Sequence, residues 1–251
     1  MDAIILGAGT AIPATRYSPA GIYVRIAREH VLLDAGAGTL QRLRDAGAPW
    51  HALDRIFLTH FHLDHCLDLA SILFAYRLPQ LKRRKPLYVY GPVGLRRLYR
   101  QLNTAFRGWL SPRGFRLVLA EVREGTRACP GYSVTSRRMN HAQTGAIGYR
   151  LTAGHRSLAY SGDTDVCKAV IELGRNARLL ILECSVRDEQ KMRGHLTPSE
   201  CGRIAAAAGC KHLVLTHFYP VFHGYDIRRR VRRFYRGPLT LAKDLTTLAV
   251  S

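Results

Sequence analysis

Between Leu58 and Cys66 the chain reads LTHFHLDHC, so His60, His62, Asp64 and His65 put three imidazoles and a carboxylate into six positions. These side chains bind divalent ions: neutral imidazole and carboxylate suit Zn²⁺, with Mn²⁺ or Fe²⁺ as alternative occupants. The spacing is not H-E-x-x-H, in which two histidines stack on one helical face. His60 and His62 are two apart, which fits one side of an extended segment and no face of a helix. The apolar run Ile56–Phe57–Leu58 before them reads as the end of a strand, and the amphipathic Leu67–Tyr76 after them reads as a helix. H-x-H-x-D-H on a strand-to-helix loop can present ligands to two metals. Packing does not account for four such groups in so short a stretch.

The elements that must hold this loop follow from the rest of the pattern. β-type runs fall at Ala3–Leu6, Gly21–Ile26, Val31–Asp34, Arg55–Leu58, Leu87–Tyr90, Phe115–Val122, Tyr132–Ser136, Ala146–Leu151, Ser157–Tyr160, Leu179–Leu182 and Leu213–Thr216. Helical stretches fall at Thr39–Ala46, Leu67–Tyr76, Val93–Asn103, Asp165–Leu173, Pro198–Ala208 and Ile227–Tyr235. Early hairpin-like strands followed by strand–helix alternation predict an α/β protein with mixed sheets. No repeat, low-complexity tract or long linker interrupts the pattern, so residues 1–251 are expected to form one domain. Polar residues recur just after the strands. One such place is a decoy: LGAGTAIP opens like a dinucleotide fingerprint, but Ile12 replaces the third glycine and Pro13 breaks the helix that would receive a pyrophosphate.

Composition narrows the class. Hydrophobic residues are 47% and charged residues 22%, ordinary for a soluble globular chain. No apolar run approaches the roughly 20 residues of a membrane span. The N-terminus carries an acid where a secretory signal needs positive charge, so a cytoplasmic address is expected. Six scattered cysteines without a C-x-x-C pair predict reduced, mostly buried thiols. Cys66 is read as a small buried residue at a helix start, not as a ligand. The net charge is +20, with clusters at Lys82–Lys85, Arg96–Arg100 and Arg228–Arg236. Such clusters attract polyanions by releasing condensed counterions. Only six of the 38 basic residues are lysine, the bias a GC-rich genome also produces, but the charge is a net excess.

With the later motifs added, the chain resembles the metallo-β-lactamase superfamily. MNHAQTGAIGYRL carries His141 like that family's third histidine motif, YSGDT carries Asp163 like its bridging aspartate, and LVLTHF carries His217 like its last ligand. The resemblance implies a four-layer αββα sandwich with two mixed sheets. It also implies that His60, His62 and His141 hold one zinc, that Asp64, His65 and His217 hold another, and that Asp163 is shared. Two zincs roughly 3.5–4 Å apart hold a bridging hydroxide at neutral pH and polarise the substrate's oxygen. Asp64 would also orient the attacking hydroxide.

Two zincs do not by themselves separate nucleases from lactonases, thioesterases or β-lactamases. LECS and GHLTP resemble two loops of ribonuclease Z, whose glutamate and histidine together protonate the leaving group; these correspond to Glu183 and His195. Leu182 and Leu196 depart from the histidine and serine of that pattern. A histidine near neutral pKa suits proton donation to an alkoxide, and a carboxylate beside it favours its charged form and fixes its tautomer. The local alternative is a helix start, with Thr197 as N-cap, Pro198 at the first position and Glu200 closing a capping box. LLDAGAGTLQRL, KPLYVYGPVGLRRLY and LTLAKDLTTLAV extend the resemblance over almost the whole chain. The long arm with which many ribonucleases Z clamp tRNA is missing between His141 and Asp163. The expected function is a ribonuclease Z-like phosphodiesterase with RNA or another phosphodiester as partner. The alternative is a small-molecule hydrolase opening a lactone, β-lactam, thioester or cyclic phosphodiester. A homodimer is expected by resemblance only.

Overall fold

A computed structural model of the chain describes residues 1–142 and 145–251; Gln143 and Thr144, within the His141 motif, lie outside the described residues. The first sheet is built from β1 (Asp2–Gly7), β2 (Gly21–Ile26), β3 (Glu29–Leu33), β4 (Arg55–Phe57), β5 (Leu87–Gly91) and β6 (Leu117–Glu121). The second holds β7 (Gly125–Cys129), β8 (Tyr132–Arg138), β9 (Ile147–Ala153), β10 (Arg156–Tyr160), β11 (Leu179–Glu183), β12 (Leu213–Thr216) and β13 (Leu239–Leu241). The closing strand β14 (Thr246–Ala249) returns to pair with β1, so each sheet has seven strands. Both sheets follow one plan. Antiparallel pairs β14–β1–β2–β3 pass into parallel β3–β4–β5–β6, and antiparallel β7–β8–β9–β10 pass into parallel β10–β11–β12–β13.

Apolar residues of both sheets face each other, among them Ile5, Val24, Leu33, Phe57, Tyr149 and Ile181. The outer face of the first sheet is covered by α1 (Thr39–Asp45), α3 (Asp68–Arg77) and α4 (Leu95–Ala105). The outer face of the second packs on α5 (Lys168–Gly174), α6 (Pro198–Ala208) and α7 (Ile227–Arg232). This is the expected αββα order. The strand β11, LLILE, is buried throughout, as a parallel strand covered on both faces must be. At α6 the capping box forms: Glu200 N–H reaches Thr197 Oγ1 at 3.5 Å while Thr197 N–H donates to Glu200 Oε2 at 3.0 Å.

The differences from expectation have physical reasons. The unexpected strands β7, β13 and β14 lie at or near sheet edges, and β7 is almost wholly exposed, so none carries an apolar alternation to read. Asp64 and His65 do not lie on an extended loop. A short helix, α2 (Leu63–Cys66), begins right after His62, and His65 N–H donates to the His62 carbonyl at 3.0 Å. Four residues were too few to separate from the helix behind them. Cys66 is buried at its end, its thiol on the Phe61 carbonyl at 3.4 Å. All six cysteines are free thiols, four of them buried. Among the described residues no helix is long and apolar enough to cross a membrane. The basic clusters are partly structural. Arg83 is buried, donating to the carbonyls of His51, Leu53 and Pro86. Arg228 and Arg232 bond the carbonyls of Leu239 and Gly237. Arg96, Arg97, Arg100, Arg229, Arg233 and Arg236 remain exposed.

Candidate metal centre

The strands of both sheets end at one edge of the sandwich, and the polar residues that follow them converge there. His60 and His62 follow β4, Asp64 and His65 come from α2, His141 follows β8, Asp163 follows β10, and His217 follows β12. The structure therefore gathers all seven residues predicted as ligands. They fall into two groups around one carboxylate. His60 Nε2 and His141 Nε2 lie 3.0 and 3.3 Å from His62 Nδ1, and both are 3.8 Å from Asp163 Oδ2. On the other side His65 Nε2 and His217 Nε2 are 3.1 Å apart and lie 3.3 and 3.4 Å from Asp163 Oδ1, with Asp64 Oδ2 3.4 Å from His217. Each oxygen of Asp163 thus serves one trio. His62 is exposed and Asp64 partly so, while the other five are buried; the centre opens on that side.

The outer partners decide which ring nitrogens face inward. His65 Nδ1 is 2.8 Å from Asp34 Oδ2, an acceptor, and His141 Nδ1 is 2.8 Å from the Gly194 carbonyl, so both carry hydrogen on Nδ1. Thr59 donates its hydroxyl to Asp34 and Ser185 donates its own to Glu183, which leaves their oxygens to accept from His60 Nδ1 and His217 Nδ1, at 3.0 and 2.9 Å. Four Nε2 lone pairs therefore crowd around Asp163, whose buried Oδ1 has no hydrogen bond of proper geometry. Such an array requires positive charge among the nitrogens. Without an ion a proton serves: burial opposes charging His65, but Asp163 and Asp34 outweigh it and hold its pKa well above the ordinary value. Burial drives His60 and His62 the other way, toward the neutral form that ligates a metal. Burial also opposes ionisation of Asp64, yet His217 and His65 prevail and hold its carboxyl below the usual range. The donor set fits divalent metal, and four of the five candidate histidine ligands, His60, His65, His141 and His217, have the outer partner such sites need.

Glu183, the last residue of β11, and His195, just before α6, meet beside this centre. His195 Nδ1 lies 3.1 Å from Glu183 Oε1 and 4.0 Å from Asp163 Oδ2. Glu183 is fixed by the Thr164 and Leu196 amides at 2.8 and 3.1 Å. Burial alone would depress His195, but Glu183 outweighs it and raises its pKa to about 8. Leu182 and Leu196, the two departures from the ribonuclease Z pattern, are fully buried against α6.

Three contributors escaped the sequence reading. Asp34, fully buried after β3, accepts from Thr59 N–H, Thr59 Oγ1, His65 Nδ1 and Tyr160 Oη at 2.7–2.9 Å. Ser185 joins Glu183, His195 and His217. The Tyr219 ring stands edge-on to both His195 and His217, with centroids 6.0 Å apart. A polar residue directly after a strand was the available signal for Asp34. Backbone geometry marks the same places: Asp34 and His217 have φ of 57° and 60°, left-handed values that non-glycine residues adopt mainly at constrained sites. Gly162, at φ 59°, precedes Asp163; a Cβ there would stand 2.6–2.8 Å from the Thr59 side chain, so only glycine lets β10 and β4 close on the centre.

Fold and site place the chain in a known group: it belongs to the beta-lactamase superfamily, whose domain spans residues 29–218. Within that group it is similar to ribonuclease Z. The ribonuclease Z of Streptomyces coelicolor is 29% identical over 99% of this chain and 97% of its own length. That of Methanosarcina mazei is 30% identical over 85% and 86%. Among solved structures, the metallo-beta-lactamase fold protein YhfI from Bacillus subtilis matches with a TM-score of 0.85 at 24% identity, covering 98% of both chains. Family and fold make this chain a metal-dependent hydrolase. The alignment with the Streptomyces coelicolor protein spans 303 positions against the 251 residues here, so that relative has about fifty positions without a counterpart.

Proposed function

We propose that the chain is a ribonuclease Z-like phosphodiesterase that cuts RNA at a centre of two zinc-type ions. His60, His62 and His141 would hold one ion, Asp64, His65 and His217 the other, and Asp163 both. Ions bound there would supply Lewis-acid polarisation and make a water easier to ionise at neutral pH. The observation that carries the reading is the His195–Glu183 pair beside the donor cluster. A thioesterase expels a thiolate that needs little help, whereas a phosphodiester expels an alkoxide that needs a proton, and it is similarity to ribonucleases Z that favours the phosphodiester over a lactone.

The chain's own residues divide the remaining work. Glu183 holds the His195 ring by Nδ1, which leaves Nε2 to give its proton to the departing oxygen as the P–O bond breaks. Ser185 ties this pair to His217, so the proton donor keeps a fixed distance from the ligands. Asp64, whose Oδ2 also accepts from the Ala11 amide at 3.1 Å, orients the attacking water. The surrounding +20 charge supplies long-range attraction for a polyanion. Similarity to ribonucleases Z supports RNA as the substrate class, and the missing fifty positions point to a substrate gripped without a long arm.

The test is His195→Ala, assayed on an RNA phosphodiester and on an activated nitrophenyl phosphodiester, with metal content measured in parallel. Metal should remain, RNA cleavage should slow by about 10²–10⁴, and the activated substrate should suffer far less. An equal loss on both substrates would refute His195 as the proton donor.

A further inference from the structure

A groove of about 400 Å³ is walled in part by Phe218 and Tyr219, the two residues that follow His217 in the chain. Its walls are the Ala14–Tyr17 loop, the segment from Phe218 to His223, Ile227 at the start of α7 and Leu241 of β13. Tyr219 belongs both to this wall and to the centre, through its edge-on contacts with the two histidines. Other rings continue away from it: Tyr17 to Phe218 at 5.7 Å, Phe218 to Phe222 at 5.8 Å and Phe222 to Tyr225 at 5.8 Å. Among the described residues no Asp or Glu lines the groove, and Arg16 on its rim is exposed without an ion pair. Next to His223, whose carbonyl accepts from Arg187 Nη2 at 2.9 Å, the buried Nε of Arg187 has no hydrogen-bond partner.

From this we infer that the groove receives the nucleobase of the nucleoside that departs when a phosphodiester is cut. The inference rests on the phosphodiesterase reading and adds to it the position of one product. His195 protonates the leaving oxygen, so the leaving nucleoside lies on the His195 side of the centre, and the groove begins there at Tyr219. Its volume suits one nucleoside, and its walls are aromatic and cationic without carboxylates. A stacked base gains affinity from any exposed ring face, without regard to sequence. Arg16, exposed on the rim, is the donor that would meet a neighbouring phosphate. A short RNA held by its bases in this way has less need of a distant arm.

Calorimetry on the metal-loaded protein tests this with two probes, adenosine 5′-monophosphate and ribose 5-phosphate, which differ only in the base. The nucleotide should bind at least tenfold more tightly, the gain expected from one base on an aromatic wall. Phe222→Leu keeps the apolar volume but removes a ring, and should erase most of that difference; its thermal midpoint reports whether the fold is intact. Equal binding of the two probes by the unmodified protein would overturn the proposal. A second measurement compares KM for a dinucleoside phosphate with KM for the analogue lacking the leaving-side base. A higher KM without the base supports the groove. Equal KM on two cleaved substrates rejects the groove and leaves the hydrolase reading standing. Tight nucleotide binding without cleavage of any phosphodiester rejects the hydrolase reading and, with it, the leaving-side assignment.

Discussion

From the first sheet, one six-residue stretch behind β4 supplies His60, His62, Asp64 and His65. From the second, His141, Asp163 and His217 arrive singly from the ends of β8, β10 and β12. The first arrangement rests on a local device, an extended step followed by the helical turn α2. The second requires three strand ends to register with one another and with Gly162 pressed against Thr59. Support is distributed just as unevenly. Asp34 gathers Thr59 and His65 of the first group and reaches across to Tyr160 of the second sheet, whereas Ser185 serves only the second side, through His217 and His195. The two halves therefore differ in how far a single substitution should spread.

Asp163 is where the halves meet, and its loss should be felt most. Asp163→Ala removes an oxygen from each trio, so under the proposed two-ion reading both ions should be lost and hydrolysis should fall to background. Elemental analysis and turnover on the same preparation check this. Retention of one ion per chain would show that the halves bind independently and that the shared carboxylate is not what joins them.

Asp34→Asn against Ser185→Ala sharpens the comparison at a smaller magnitude. Changing an outer partner of a ligating histidine costs about 10–100-fold in metal affinity. Asp34→Asn should reach the upper part of that range, because an amide cannot accept from all four donors now aimed at the carboxylate. Each buried donor left facing it costs about 1–3 kcal/mol, so the melting temperature should fall as well. Ser185→Ala should lower affinity less and act more on the proposed RNA cleavage, since it frees His195 from His217. Competition with a chelating dye gives both affinities. Equal losses would mean that Asp34 does not serve the two sheets differently from Ser185.

The contrast between the halves also explains what the sequence could tell. LTHFHLDHC declares metal chemistry without help, because its four candidate ligands fall within six residues and the spacing of His60 and His62 excludes a shared helical face. His141, Asp163, Glu183, His195 and His217 each stand far from the other candidate ligands along the chain, and only resemblance to a family singles them out from His30, His155 or His212. Apolar runs such as that of β11 made an α/β protein with mixed sheets legible, whereas the αββα order came only with the family resemblance. The edge strand β7 was not, since an exposed strand has no buried face to impose a pattern. Asp34 and Ser185 were missed for another reason. Their links to the candidate ligands run to Thr59, 25 residues from Asp34, and to His217, 32 residues from Ser185, which no local spacing reveals.

The smallest effect on activity should come from the opposite end of the same strand. While Asp34 follows the end of β3, Glu29 begins it, and its carboxylate joins Arg55 of β4, at 2.7 and 2.9 Å, to Tyr132 of β8, at 2.6 Å. Burial opposes the charge on Glu29, but the Arg55 and Tyr132 bonds prevail and hold its pKa below the ordinary glutamate value. A carboxyl depressed in the folded state binds its proton more readily when unfolded. Its contribution is therefore complete above the unfolded pKa, about 4.3, and disappears as pH falls through the lower folded value. Glu29→Gln should cost about 1.5–3 kcal/mol near pH 7, the usual worth of hydrogen bonds to a charged group. The gap between the two melting temperatures should narrow below about pH 4 while metal content and turnover stay unchanged. A change in turnover as large as that of Ser185→Ala would show that the two ends of the sandwich are mechanically coupled, and the division between a supporting end and a reacting end would fail.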